Sequence, residues 1–316
     1  MKKKKKIKSA AAVLIVLIVL AVAAIFFMVL SDREETEKVA PPRAAEKRAK
    51  PSAAESRAAA KTQPRAAKDA VPPPESGVGT EAAPSRTEGR QVAIIIDDIG
   101  QDMKPVRELL DIDANITFAV LPLLPHSREA AETLHRAGRE ILLHLPMEPL
   151  SYPKEKPGSG ALFTDMNNEE ILFQMERNMA SVPYASGVNN HMGSKFMADE
   201  EKLTLVFREI KKRNLFFIDS RTTGNSKTQA AAQRARLRVA SRKIFLDNER
   251  DYSRIYRILM EAARASDGNS PLIVIGHPYP ETIRAVREAG KVFREQGIAI
   301  VPVSALLSKS KPEGAS

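Results

Sequence analysis

From residue 91 onward the chain repeats one alternation, a short apolar run rich in β-branched residues followed by an amphipathic stretch whose apolar positions step by three and four. The pattern predicts strands at 92–97 (VAIIID), 116–122 (ITFAVLP), 140–146 (EILLHLP), 187–192 (GVNNHM), 215–220 (LFFIDS), 242–247 (RKIFLD), 271–278 (PLIVIGHP) and 298–306 (IAIVPVSAL). Helices are predicted between them, as in SREAAETLHRAG, NNEEILFQMERNM, EEKLTLVFREIKKRN and IRAVREAGKVFREQG. Several strand runs are apolar almost throughout, as expected where protein covers both faces of a parallel sheet. The segment 91–311 is therefore expected to be one α/β domain, either a barrel or a doubly wound sheet, with a tail at 312–316.

Polar and ionisable residues gather where these strands end: Asp97 and Asp98, His144, Asn189, Asn190 and His191, Asp219, Asp247, and His277. In parallel α/β folds the loops after the strand C-termini converge on one face, and that face carries the site. Any single Asp or His there is as readily a helix cap or a satisfied structural residue. The set is more telling, because three of the five histidines in the chain fall at strand ends. The other two, His126 and His135, lie in a loop and on a helix surface. With no cysteine in the chain, a metal would have to be held by imidazoles and carboxylates, and cysteine nucleophiles are excluded. Two imidazoles and a carboxylate form a common hydrolytic zinc set, and adjacent carboxylates such as Asp97 and Asp98 can divide the roles of base and ligand. No glycine-rich phosphate loop follows any strand, which argues against a phosphate-binding α/β protein.

The N-terminal third has a different texture. Residues 1–8 hold six lysines, and residues 10–30 are 21 residues without a charge. That length spans a membrane, exceeds the apolar core of a cleavable signal peptide and lacks a small-residue cleavage site. A signal anchor over 9–30 is expected, with the basic segment 1–8 cytoplasmic and the remainder extracytoplasmic (periplasmic), attached to the inner membrane as a single-pass protein. Residues 31–90, rich in Ala, Pro, Lys, Arg and Glu, have too little apolar surface to order themselves and are expected to be a disordered linker. The net charge of +10 includes the lysines of the anchor flank, and no basic stripe is interleaved with aromatics, so no nucleic-acid partner is expected.

The segments IIIDDIG, FAVLPLLPHS, GREILLHLPMEP, GVNNHMGSKF, FFIDSRTT, FLDN, IGHPYPETI and VPVSALL, in that order over about 91–308, resemble the divergent polysaccharide deacetylase family. This is a remote branch of the carbohydrate esterase superfamily that includes chitin and peptidoglycan deacetylases. The resemblance implies a NodB-like distorted (β/α) barrel of about seven strands. It implies Asp97 as general base and Asp98 as ligand of a divalent metal. The wider superfamily carries G-H-E-I-x-x-H on its third strand and a second His four residues later. Here Gly138 to His144 supplies the first His, while the second position holds Glu148. His191 is the expected replacement, so the expected ligands are Asp98, His144 and His191, with Glu148 a second choice or a group outside the set. His277 is expected to protonate the leaving amine, Asp219 to orient His277 or shape the pocket, and Asn190 and Arg221 to contact substrate. Arg221 would hold an anionic or carbonyl group, and Asp247 would be no more than a loop cap.

Two functions follow from this reading. One is a metal-dependent hydrolase that removes an N-acetyl group from a cell-envelope polysaccharide, with zinc the expected ion although iron, nickel or cobalt suit the same donors. The other is an inactive barrel that binds glycan or a partner protein in an assembly or regulatory role.

Overall fold

The structure is a computed structural model that describes residues 89–265 and 271–307. The expected anchor and almost all of the expected linker lie outside the described residues. Among those described, no helix is long and apolar enough to cross a membrane.

The strands are β1 (Gln91–Ile99), β2 (Thr117–Val120), β3 (Ile141–Met147), β4 (Gly187–Met192), β5 (Phe216–Asp219), β6 (Val239–Ser241), β7 (Ile244–Phe245), β8 (Ile273–Gly276) and β9 (Ala299–Ile300). They pair in the order β6-β5-β4-β3-β2-β1-β8-β7, with β9 added beside β1, and every pairing is parallel. The helices are α1 (Lys104–Leu110), α2 (Ser127–Arg136), α3 (Asn168–Ser181), α4 (Glu200–Lys212), α5 (Thr228–Ala235), α6 (Tyr252–Ala265), α7 (Pro280–Glu295) and α8 (Val303–Leu307). Only Arg242 and Lys243 separate β6 from β7, the two ends of the pairing order. The Arg242 amide donates to Asp219 O and the Lys243 amide to Ile273 O, so the chain itself joins the ends of the curled sheet. The result is a curled, parallel α/β half-barrel of the expected distorted kind, with nine strands where the resemblance implied about seven.

Strand alternation creates two cores. Val92, Ile94, Ile96, Phe118, Val120, Leu143, Leu145, Val188, Phe217 and Val274 point outward and pack against the helices. Ala93, Ile95, Ala119, Leu142, Phe216, Ile218, Ile273 and Ile275 point inward and form a second cluster with Val303, Leu306 and Leu307 of α8. Both faces of each central strand are thus apolar, which explains the unbroken hydrophobic runs.

The closing segment departs from the expected strand over 298–306. Pro302 lacks an amide to continue the ladder, so β9 stops at Ile300 and the chain turns into α8. The first helical amides are taken up, Val303 N by Thr117 Oγ1 at 3.1 Å and Ser304 N by Glu140 Oε2 at 3.3 Å. The expected strand at 242–247 is likewise reduced to Ile244–Phe245, and β6 adds three residues that the apolar pattern missed because they alternate weakly.

Because α8 fills the barrel interior, Leu306→Ala is expected to lower the unfolding free energy by about 2–5 kcal/mol, measured by urea denaturation of the full-length chain. Leu150→Ala, at a side chain that is 72% exposed, serves as the control and should change it by less than about 0.5 kcal/mol.

Candidate active site

Successive residues of a strand point to opposite faces, so a regular β1 would aim Asp97 and Asp98 apart. The pairing of β1 with β2 shifts here: Ile96 sits opposite Phe118 but Ile99 opposite Val120, so three residues advance against two. This bulge is accommodated by a left-handed backbone at Asp98, with φ of 57°. Ile99 returns to the outer core, and the carboxylates of both aspartates reach the mouth of the barrel.

His144 of β3 follows Leu142 on the inward face, and Asn189 and His191 of β4 pair in register with His144 and Pro146. Met192 and Gly193 both have positive φ and turn the chain sharply away after His191. A side chain at Gly193 would place its Cβ 2.8 Å from Met147 Cβ, so this turn tolerates only glycine.

Three donor atoms meet at the mouth. Asp98 Oδ1 is 3.2 Å from His144 Nε2 and 3.0 Å from His191 Nδ1, and the two imidazole nitrogens are 3.1 Å apart. Asp98 Oδ1 is buried and has no hydrogen-bond partner. A tetrahedral zinc with bonds of about 2.0–2.1 Å would separate its ligands by about 3.3 Å, so the spacing and the orphaned oxygen both fit a divalent cation. The donor set is the expected one, and it forms the candidate metal site among the described residues.

Asn189 fixes the groups behind these donors. Its Oδ1 lies 2.9 Å from His144 Nδ1, and its Nδ2 donates to Asp97 Oδ1 at 2.8 Å. With Nδ1 donating to the amide, His144 presents the lone pair of Nε2 to the site. The same amide fixes Asp97, which is otherwise buried. Burial raises the pKa of Asp97, and the opposing pull of His144, His277 and Asn189 does not cancel it. For Asp98, burial likewise favours the neutral acid, but His144 and His191 overcome it and hold the carboxyl well below the usual range. Burial disfavours the His144 cation, yet the facing Asp97 and Asp98 carboxylates push its pKa up to about 9. The cluster is thus arranged around a positive charge.

His277 follows β8 across from this set, with Nε2 3.7 Å from Asp98 Oδ2. Its Nδ1 lies 2.9 Å from Asp247 Oδ1, while Asp247 Oδ2 accepts from the His277 amide at 2.6 Å and from Thr282 Oγ1 at 2.8 Å. Although burial opposes it, the bond to Asp247 and the charges of Asp98, Asp247 and Asp97 raise the His277 pKa.

Asp247 therefore occupies the orienting place that sequence reasoning offered to Asp219. The reason is parity. Asp219 shares the outward face of β5 with Phe217, and its carboxylate accepts from the Arg221 amide, Ser226 Oγ and Thr228 Oγ1, each at 2.7 Å. Asn190 is equally committed: Oδ1 accepts from Ser220 N at 2.8 Å, and Nδ2 donates to Met192 O at 2.8 Å and Thr222 Oγ1 at 3.2 Å. It fastens β4 to the loop after β5, and the residue is buried. Glu148 is paired with Lys195 at 2.8 Å and accepts from Thr164 N and Oγ1, so it braces the loop after β3 and stands outside the donor set. Burial would raise its pKa, but Lys195 and Thr164 outweigh that and lower it. His126 bonds Glu129 at the start of α2, and His135 stacks on Tyr184. Asn189 and Asp247 are the site residues sequence reasoning missed, although both stood among the strand-end polar residues.

Residues 94–307 match the family model described as divergent polysaccharide deacetylase. The chain is 37% identical over 221 residues to YibQ, an uncharacterized protein of Escherichia coli (strain K12), covering 69% of this chain and 68% of that one. It is 32% identical over 221 residues to an uncharacterized protein of Haemophilus influenzae, covering 70% of this chain and 78% of the other. Among solved structures it is similar to the uncharacterized protein ATU2773 of Agrobacterium tumefaciens C58, with a TM-score of 0.67, 28% identity, and coverage of 70% of this chain and 91% of that one. The match extends over most of the chain and takes in every residue of the donor set, and the chain belongs to the divergent polysaccharide deacetylase family.

Proposed function

We propose that this chain is a metal-dependent deacetylase that removes N-acetyl groups from a cell-envelope glycan. The observation that carries the reading is the opposition of two chemical halves across Asp98: a free-facing donor set of Asp98, His144 and His191 beside the buried Asp97, and His277 on the other side.

Asp98, His144 and His191 would hold a divalent ion, with zinc the expected identity. Such an ion supplies Lewis acidity, polarising an acetyl carbonyl and acidifying water. Asp97 takes the proton from the attacking water; burial raises its pKa and makes it a stronger base than an exposed aspartate. His277 donates a proton from Nε2 to the departing amine nitrogen, while Asp247 holds its Nδ1–H and stabilises the imidazolium. The barrel interior beneath them is packed with apolar side chains. The apolar run at 10–30 and the linker after it support placement at the periplasmic face of the inner membrane, within reach of envelope polysaccharide.

Elemental analysis of the purified full-length chain should find about one divalent ion per molecule. That ion should be lost in Asp98→Ala, His144→Ala and His191→Ala and kept in Glu148→Gln. A wild-type chain that takes up no ion when zinc or iron is supplied would overturn the hydrolase reading in favour of a glycan- or partner-binding barrel. In a deacetylation assay that measures released acetate, Asp97→Asn and His277→Gln should each lower kcat by about a hundredfold or more. Asp247→Asn should act differently. Asp247 stabilises protonated His277, so its neutralisation lowers the His277 pKa and should move the alkaline limb of the kcat profile to lower pH.

A further inference from the structure

The loops at the C-terminal ends of β5 and β6 carry two arginines that the chemistry above does not use. Arg221 follows β5 and Arg242 lies between β6 and β7. The Arg242 guanidinium donates to Ser220 O at 2.8 Å and Arg221 O at 3.2 Å and packs 4.7 Å from the centre of the Phe245 ring. Ser220 in turn lies against Asn189, the residue that holds Asp97, so the pair is only a few bonded contacts from the reacting groups.

The Arg221 backbone is clamped at both ends, its amide donating to Asp219 Oδ1 at 2.7 Å and its carbonyl accepting from Arg242. It is held at φ 52°, a left-handed conformation that a bulky side chain seldom adopts and that tends to occur at functional sites. The side chain is exposed.

Some arginines of this molecule pair with carboxylates, as Arg213 does with Glu176 and Glu209 and Arg234 with Glu200, and others, such as Arg250 over the Tyr279 ring, do not. Among the described residues no ion pair reaches Arg221 or Arg242. The nearby Asp219 carboxylate is already occupied by three donors. The Arg221 guanidinium therefore has no ion-pair partner among the described residues, and its charge is felt by Arg242. Burial and then the neighbouring Arg221 lower the pKa of Arg242, and the Asp97 and Asp219 carboxylates offset this only in part. On the other side of His277, Arg250 lies 3.7 Å over the Tyr279 ring, so the rim is cationic there too.

We infer that Arg221, backed by Arg242, is a subsite for an anionic substituent of the glycan, a carboxylate or a phosphate, so that the substrate is an acidic polysaccharide. Arg221 supplies the contact, because it is exposed and its guanidinium has no partner among the described residues. Arg242 supplies charge and holds the Arg221 carbonyl. The inference rests on the glycan reading above and adds the charge class of the substrate.

Binding calorimetry on the full-length chain in detergent tests it without requiring turnover. The ligands are three N-acetylated tetrasaccharides of equal length: a neutral one, one with lactyl carboxylates on alternate sugars, and one with phosphate esters. At least one acidic tetrasaccharide is expected to bind about tenfold or more tighter than the neutral one, the worth of one charge-assisted hydrogen bond. Whichever of the two does so identifies the anion. Arg221→Asn, a residue that tolerates the left-handed backbone, should bring the ratio of affinities close to one, and Arg221→Lys should retain part of it. Equal binding of all three ligands, or a preference that survives Arg221→Asn in a chain with an unchanged melting temperature, would overturn the subsite alone. Failure of every tetrasaccharide to bind would overturn the glycan reading and this inference with it.

Discussion

The backbone bulge at Asp97 and Asp98 is the constraint on which the site depends. A regular strand cannot present two consecutive carboxylates to one mouth, because its side chains alternate. The extra residue in β1 and the positive φ at Asp98 break that alternation at one point. Asp97 stays in the buried inward series of Ala93 and Ile95, whereas Asp98 swings out to His144 and His191 with 31% of its side chain exposed. The two acids therefore acquire opposite electrostatics within one strand. Asp97 is raised by burial, and Asp98 is held ionised by two imidazoles.

The remaining site groups are placed by strand parity. His144 and Asn189 occupy the same inward series as the aliphatic plug, so the polar mouth is the top layer of an otherwise apolar interior. The plug also isolates the polar layer from below, since α8 occupies the opposite end of the barrel and has its first amides capped by Thr117 and Glu140. Packing and chemistry share one alternation, and a one-residue slip in any of these strands would exchange a site residue for a core residue.

Charge is layered in the same way. Asn189, Asp247 and Thr282 hold the inner groups in fixed orientations, while Glu148 with Lys195 braces the loop after β3 and Arg221 with Arg242 borders the loop after β5. The first set is buried and largely satisfied, which suits the fixed geometry that the proposed proton transfers require. The arginines stand apart from it because their guanidiniums find no carboxylate among the described residues.

Much of this was legible in the sequence. Hydrophobic period alone placed most of the strands and the four long helical patterns, because burial on both faces leaves unbroken apolar runs. Polar residues at the ends of those runs marked the mouth. The resemblance to the family supplied Asp98 and His144, position on the next strand supplied His191, and the tertiary structure brings their donor atoms together. What the tertiary structure alone decided was direction and partnership. Asp219 and Asp247 look alike as strand-end acids, but one strand turns its acid toward Ser226 and Thr228 and the other turns its acid toward His277. Asn189 and Asn190 are adjacent and identical, yet one orients the donors and the other fastens a loop. Sequence by itself determines where polar groups interrupt an apolar pattern, since that depends on local burial. Which of them meet depends on a bulge, on strand register and on the return of α8 into the barrel, and these are fixed only when distant segments pack together.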